Sequence, residues 1–329
     1  MIVVRFTSGL GNQMFQYSFY RLMQETYPHT EVKADLTWFY ANNDHHGYEL
    51  ERIFGVGTDS GFRLIEASKT DIFKVTGLLP NLCNDRFSES FEKLRRYPNR
   101  ILRELTGKRQ APYRIDQLTG AISNLDVVCP DGGVKNALYE TVMHLDPSKN
   151  WYLTGFWIEE KYYKNRILRL QDELVFDGGL TGKNAELSLR MRNENSVSIH
   201  VRRGDYLSPL YSGMFQSLGR DYYEKAVACI NEHVPRPCFY LFSDDPAFVE
   251  KQFDWLPNRT IVMHNTGDDS YLDMQLMSLC KHNIIANSTF SQWGALLNKN
   301  KDHLTLYPAA YLKNQDNEVK TLPGWLRIF

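Results

Sequence analysis

Short apolar runs alternate with longer amphipathic ones along most of this chain. Residues 1–6 are apolar and β-branched and predict a first strand. A glycine-bearing turn follows, Thr7-Ser8-Gly9-Leu10-Gly11-Asn12-Gln13, and residues 14–27 then place Phe15, Phe19, Leu22 and Met23 on one side of a helix. Residues 31–36 and 151–156 read as further strands, and 159–174 as helical. From residue 197 the alternation is regular. Strands are predicted at 197–201, 238–242, 260–263, 283–286 and 304–307, with helices at 221–233, 246–253, 271–281 and 290–299 between them. Strands alternating with helices imply an α/β fold with a doubly wound parallel sheet. The polar, Gly- and Asn-rich stretch 177–195 reads as the approach to a second domain. The 329 residues are therefore divided as 1–190 and 191–329. Asp221 with Glu224 fits a capping box, and Asp245-Pro246 fits an N-cap followed by proline at the first helical position.

In a parallel sheet the strand C-termini share one edge, and ligands bind there. Four polar segments fall at that edge. His200-Val201-Arg202-Arg203-Gly204-Asp205-Tyr206 leaves a buried strand and sets two guanidinium groups where a loop begins. Phe242-Ser243-Asp244-Asp245 ends the next strand, Ser270-Tyr271-Leu272-Asp273 opens a helix, and Asn287-Ser288-Thr289-Phe290-Ser291 joins a strand to the last helix. Their chemistry suits a nucleoside diphosphate. Ser288, Thr289 and the N–H groups opening the last helix favour phosphate. Arginine forks match phosphate oxygens, and the carboxylate of Asp273 matches the N1–H and exocyclic amine of guanine. Each position has a structural alternative. Arg202 and Arg203 pair equally well with nearby acids, Asp273 with Ser270 completes a capping box, Ser288 is an N-cap, and Asp244 and Asp245 start a helix. Their convergence on one edge favours a ligand.

Composition narrows the classes. With 43% hydrophobic residues and a net charge of −1, the chain has ample core and no global field for nucleic acid, so an anion site is local. No apolar run approaches the ~20 residues of a membrane span, and the N-terminus lacks a signal peptide, so a cytoplasmic location is expected. The five cysteines (83, 129, 229, 238 and 280) show no metal spacing and read as reduced thiols. The aromatic, polar loop 37–48 suits a sugar face or a hydrogen-bonded surface loop. The basic stretch 90–114 reads as a solvated helix and loop, or as a contact with an anionic membrane surface or a charged acceptor. There is no P-loop and no Asp-x-Asp, so no metal-held diphosphate is expected; paired arginines would neutralise a leaving diphosphate instead.

Gly9-Leu10-Gly11-Asn12-Gln13-Met14-Phe15-Gln16-Tyr17 resembles the N-terminal signature of the α-1,2-fucosyltransferases, and the segment from His200 to Tyr206 resembles their central motif. Phe242-Ser243-Asp244-Asp245 and Asn287-Ser288-Thr289-Phe290-Ser291 follow in the family's order, so the resemblance spans residues 9–297. One position departs: where the family commonly carries two tryptophans after Ser291, this chain has Gln292 and then Trp293, a change bearing on packing or acceptor contacts. The resemblance implies two facing Rossmann-like domains of GT-B type with the active site between them. It implies inverting, metal-independent transfer of fucose from GDP-fucose to the 2-hydroxyl of a galactoside, in an oligosaccharide or a polysaccharide precursor. By the same resemblance Arg202 contacts the β-phosphate, Arg203 holds the loop or the diphosphate, and His200 lies near the nucleotide. Asp273 reads guanine; Ser288, Thr289 and Phe290 hold the phosphates and position the loop; Gly11 and Asn12 line the opposite wall. Asp205, His45, His46 and Glu49 are the candidate bases. Two rivals remain: another GDP-sugar as donor, and a non-catalytic relative that binds nucleotide or glycan.

Overall fold

The computed structural model describes residues 1–41, 45–56, 64–76, 122–123, 139–204, 206, 217–311 and 321–329. They form two compact units, Met1–Asn165 and Arg166–Phe329. In the first, strands β1 (Ile2–Arg5), β2 (Val32–Asp35), β3 (Ile122–Ser123) and β4 (Trp151–Thr154) make a parallel sheet in the order β2-β1-β4-β3. Ile2, Val3 and Val4 are all buried, as expected of a parallel strand covered on both faces. Helix α1 (Leu10–Thr26) buries Phe15, Phe19 and Met23 of the side its spacing selected, while Leu22 is half-buried; Met14 is buried as well. Phe19 stacks on Trp157 with ring centroids 3.6 Å apart. Short helices α2 (Thr37–Ala41), α3 (Leu50–Phe54) and α4 (Lys69–Thr76) also belong to this unit.

The second unit carries β5 (Ser196–Val201), β6 (Cys238–Ser243), β7 (Arg259–Val262), β8 (His282–Ile284), β9 (Thr305–Pro308) and β10 (Leu326–Ile328). All pair in parallel, in the order β10-β9-β8-β5-β6-β7. Its helices are α5 (Ile167–Glu173), α6 (Gly182–Asn193), α7 (Arg220–His233), α8 (Pro246–Gln252), α9 (Tyr271–Leu279) and α10 (Thr289–Leu296). Tyr222, Tyr223, Val227, Ile230 and Val249 from α7 and α8 pack on one set of strand side chains, including Ile199 and Leu241. Met191, Leu276, Met277 and Phe290 from α6, α9 and α10 pack on the alternate set, Tyr240 and Phe242. Period-two alternation along β5 and β6 thus feeds two helical layers, the doubly wound arrangement.

Three local expectations are corrected. The unit boundary falls at 165/166 and not at 190/191, and the polar stretch before β5 is largely helix α6, whose Asn184, Ser188 and Met191 are buried. A narrow apolar stripe is enough for a helix lying on a sheet, so overall polarity misled. The helical character expected of residues 159–174 is present, as two single 3₁₀ turns followed by α5. The Asp221–Glu224 capping box does not form: α7 starts one residue earlier, at Arg220, with Gly219 as N-cap and no capping side chain, and Glu224 instead accepts from Arg220 Nε at 2.6 Å. The Asp245 cap is present. Its side chain accepts from Phe248 N at 3.1 Å, with Pro246 opening the helix.

A candidate nucleotide site at the switch point of the second sheet

The chain leaves β5 for β6 and β7 on one side, then returns to β8 on the other. The connections that leave β5 and β8 run to opposite layers, α7 and α10. Their divergence opens the crevice in which doubly wound sheets bind ligands. Two predicted segments line it. From β5 come His200 and Arg202; from β8 come Asn287, Ser288, Thr289 and Phe290. They are physically joined. Tyr206 Oη donates to Asn287 O at 2.7 Å, and the His200 and Phe290 rings lie 5.8 Å apart. Asn287 is buried and donates through Nδ2 to Tyr311 O at 2.9 Å, so it shapes the loop that carries Ser288. Ser288 is the N-cap of α10, its Oγ accepting from Phe290 N at 3.3 Å. The cap alternative is thus realised for Ser288, while Thr289 opens the helix at the crevice.

His200 is buried, and desolvation, aided by the Arg202 charge, pushes its imidazole down to about 3. It is therefore neutral at physiological pH. Its Nδ1 has no hydrogen-bond partner among the described residues. Such an orphaned atom costs about 1–3 kcal/mol, a cost that a hydrogen-bonding ligand would remove.

The arginines are compensated within the protein. The β5–β6 register sets His200 beside Phe242 and Val201 beside Ser243. One and two residues further on, Arg202 Nη1 meets Asp244 Oδ2 at 2.9 Å and Arg203 Nε meets Asp245 Oδ2 at 3.1 Å. The alternative that the two guanidinium groups pair with nearby acids is therefore realised: parallel pairing supplies a carboxylate to each. The two arginines nevertheless differ. Arg203 lies flat over Phe248 of α8, 3.7 Å from the ring centroid, and its backbone N–H donates to Asp244 Oδ1 at 2.9 Å. It latches the end of β5 to the start of α8. Arg202 has the parity of His200, and its guanidinium carbon lies 5.8 Å from the centroid of Tyr206, whose hydroxyl bonds the loop before α10. Asp244 orients it there. Ser243 is also engaged inside the protein, its Oγ donating to Val201 O at 2.8 Å and accepting from Asp245 N at 3.0 Å. Asp205 and the basic stretch 90–114 lie outside the described residues.

Asp273, in the first turn of α9, forms no capping box: Ser270 makes no side-chain cap. Its Oδ1 accepts from Asn265 Nδ2 at 2.7 Å. Burial pushes the carboxyl up to about 7, against the opposing pull of that hydrogen bond. Asp273, Arg202 and Ser288 all follow strands at the C-terminal edge of the sheet. Gln292 and Trp293 are both fully buried, so the departure from the family pattern is one of packing. Gly294, one turn into α10, explains the tightness there, because a Cβ on it would lie 3.0 Å from Met277 Cβ of α9.

In the first unit Gly11 is buried and Asn12 half-buried at the start of α1. The hydrogen bonds that hold this motif in place come from two glutamines beside Gly11 and Asn12. Gln13 donates to Ser8 O and Gly47 O, both at 2.8 Å, and accepts from Glu49 N at 2.9 Å. Gln16 accepts from Thr7 N at 2.9 Å and donates to Gly155 O at 3.0 Å. Two glutamines three apart on the buried side of a helix were the available signal. They hold the turn in which Ser8 takes a positive φ of 67°. His45 is exposed and stands over Gly9, where a Cβ would come within 3.2 Å of its Nδ1. His46 is exposed, and Glu49 is buried and paired with Arg52 at 3.0 Å. Among the described residues no three His, Cys, Asp or Glu gather as they would around a metal ion, and no helix is long and apolar enough to cross a membrane.

An all-parallel sheet with a basic residue and a helix start at its switch point defines a nucleotide-binding α/β unit. Residues 136–328 match the model of glycosyl transferase family 11, and the chain belongs to that family. It is 27% identical to the O-antigen biosynthesis glycosyltransferase WbnK of Escherichia coli, over 98% of each chain. It is 28% identical to an alpha-1,2-colitosyltransferase of Escherichia coli over 100% of this chain and 99% of the relative. A galactoside alpha-(1,2)-fucosyltransferase 2 of Bos taurus is 27% identical over 55% of this chain and 56% of its own length.

Proposed function

We propose that this glycosyltransferase, of GT-B type, moves L-fucose from GDP-fucose to the 2-hydroxyl of a galactoside, with inversion and without a divalent metal. The observation that carries the reading is the crevice of the second unit. There an oriented arginine, a buried imidazole whose Nδ1 has no partner among the described residues, and the start of α10 come together within the stretch that matches the family model. As the glycosidic bond breaks, negative charge grows on the departing β-phosphate. Arg202, already aimed by Asp244, stabilises that charge without reorganising, and the N-terminus of α10 adds its dipole. Thr289 and Phe290 N–H groups lie at that terminus, His200 stands beside the nucleotide, and Asp273 accepts from guanine. Work in the cytoplasm, at or near the inner membrane face, belongs to the same proposal. So does a galactose-terminated acceptor, for which the name of the bovine relative is the support.

A second reading has a specific support, the full-length relative named for colitosyl transfer. Colitose is a deoxy relative of fucose, so the two donors share GDP and most of the sugar. Incubation with GDP-fucose or GDP-colitose and a panel of galactose-terminated oligosaccharides, with and without chelator, separates the readings. Fucosylation at the 2-hydroxyl, unchanged by chelator, is the expected result. Turnover of GDP-colitose alone, transfer to another hydroxyl, or loss of activity on chelation would overturn the corresponding part of the proposal.

A further inference from the structure

Asp273 does not stand alone. Asn265, just beyond β7, gives one Nδ2 hydrogen to Asp273 Oδ1 at 2.7 Å and the other to Asn184 Oδ1 at 3.1 Å. Asn184, in the first turn of α6, returns the bond through its own Nδ2 to Asn265 Oδ1 at 2.8 Å. The two amides therefore face each other as a reciprocal pair. Asn184 Oδ1 also takes His264 Nε2 at 2.8 Å, which puts the proton of that imidazole on Nε2. Both N–H groups of Asn265 are thus engaged, and its amide plane has one orientation that satisfies the set. The members come from three elements: α6, the exit of β7, and α9. Asn184 is buried, Asn265 and Asp273 are half-buried and His264 is exposed; the reciprocal amide pair, anchored at its buried end, restricts the orientation of Asn265.

The consequence falls on the carboxylate. Among the described residues Asn265 is the one side chain hydrogen-bonded to Asp273. It binds one oxygen and leaves the second as an acceptor on the same edge of the sheet as the α10 N-terminus. We propose that Asn265, itself held by Asn184 and His264, is the positioning residue that fixes the Asp273 carboxylate for the donor-nucleotide base, and so sets the preference for a purine carrying a 2-amino group. This rests on the reading of Asp273 as the guanine acceptor. A carboxylate held at one oxygen presents Oδ2, together with the remaining lone pair of Oδ1, in a fixed plane to the two parallel donors of the guanine edge, N1–H and the exocyclic amine. A freely rotating carboxylate loses that match and pays to order itself on binding. A base that lacks the amine leaves an acceptor unpaired in a partly buried place, which is where hydrogen-bonding discrimination is strongest.

The test is calorimetric binding of GDP and of inosine diphosphate, which lacks the 2-amino group, to the full-length wild type and three variants. Urea unfolding of each variant accompanies it. Wild type should prefer GDP by about tenfold or more, the scale of one hydrogen bond to a charged acceptor. Asp273→Asn should abolish that preference. Asn265→Ala should weaken GDP binding about tenfold and reduce the preference to under threefold while inosine diphosphate binding barely moves. Asn184→Ala, one bond further out, should do the same to a smaller degree and stands in if Asn265→Ala fails to fold. If Asp273→Asn keeps the wild-type preference, the guanine reading itself is wrong. If Asp273→Asn loses it while Asn265→Ala and Asn184→Ala keep it, the guanine reading stands and the positioning role falls. Equal weakening of both nucleotides in the amide variants would mark a structural role only and would also overturn the inference.

Discussion

Arg203→Ala is the substitution whose outcome separates a structural arginine from a catalytic one in this loop. The Arg203 head sits 3.1 Å from Asp245 Oδ2, with the two side chains 27% and 36% exposed. A pair that open to solvent contributes about 0.5–1 kcal/mol. Its guanidinium lies 3.7 Å from the centroid of Phe248, which adds about 0.5–1 kcal/mol. Together the substitution should destabilise the protein by about 1–2 kcal/mol and lower its melting temperature by about 3–6 °C. Asp245→Ala should cost more, because the same side chain also caps α8 through Phe248 N, a loss of about 1 kcal/mol by itself. The double variant should show coupling of about 0.5–1 kcal/mol between the two. Transfer activity, measured below the transition on the folded protein, should fall less than tenfold in Arg203→Ala. In Arg202→Ala it should fall on the order of a hundredfold or more, while loss of the Asp244 pair costs only about 0.5–1 kcal/mol of stability. Urea unfolding and initial rates on the same samples give both quantities. A full-stability Arg203→Ala protein that has lost a hundredfold in rate would refute the latch, and an Arg202→Ala protein with near-normal rate would refute the assignment to the leaving group.

Two further outcomes follow from the same geometry. Asp273 should make donor binding depend on pH: with its carboxyl pushed up to about 7, the ionised fraction rises from about a tenth at pH 6 to about nine tenths at pH 8, so GDP should bind about tenfold tighter at pH 8. The sign for stability is opposite. The folded state holds a proton that the unfolded chain releases near 4, so this carboxyl's contribution to unfolding free energy declines as pH rises through the window from about 4 to about 7. Asp273→Asn should remove both dependences; a GDP affinity that is flat between pH 6 and 8 in the wild type would contradict the first. Separately, Gly294→Val should cost about 1–3 kcal/mol in urea unfolding, because its branched Cβ would enter the space 3.0 Å from Met277 Cβ, and a neutral result would mean that α9 and α10 separate easily.

The strands of the second unit were legible because a buried parallel strand is a continuous apolar run bounded by polar turns. The predicted strand at 197–201 and the observed Ser196–Val201 differ by one residue. The Asp245-Pro246 start of α8 was legible because capping is local chemistry. Helix α6 was not, since its buried residues are few and its amphipathic signal is carried by a polar sequence. The Asp221–Glu224 box was misread by a one-residue shift in where α7 begins, which local propensity does not resolve.

The chain's pattern by itself determined the α/β class, the alternation of strands and helices from β5 to β9, and the four polar segments at one edge, because periodicity and turn chemistry act over a few residues. Only the tertiary structure decided what those segments do to one another. Parallel register, a pairing between residues 41 and 42 apart in sequence, set Asp244 and Asp245 against the two arginines and turned Arg203 into a latch. The same long-range packing buried His200 into neutrality and tied Asp273 to Asn265 and Asn184. Charge and burial at a strand end depend on the neighbouring strand, and which strand is the neighbour is a property of the folded sheet.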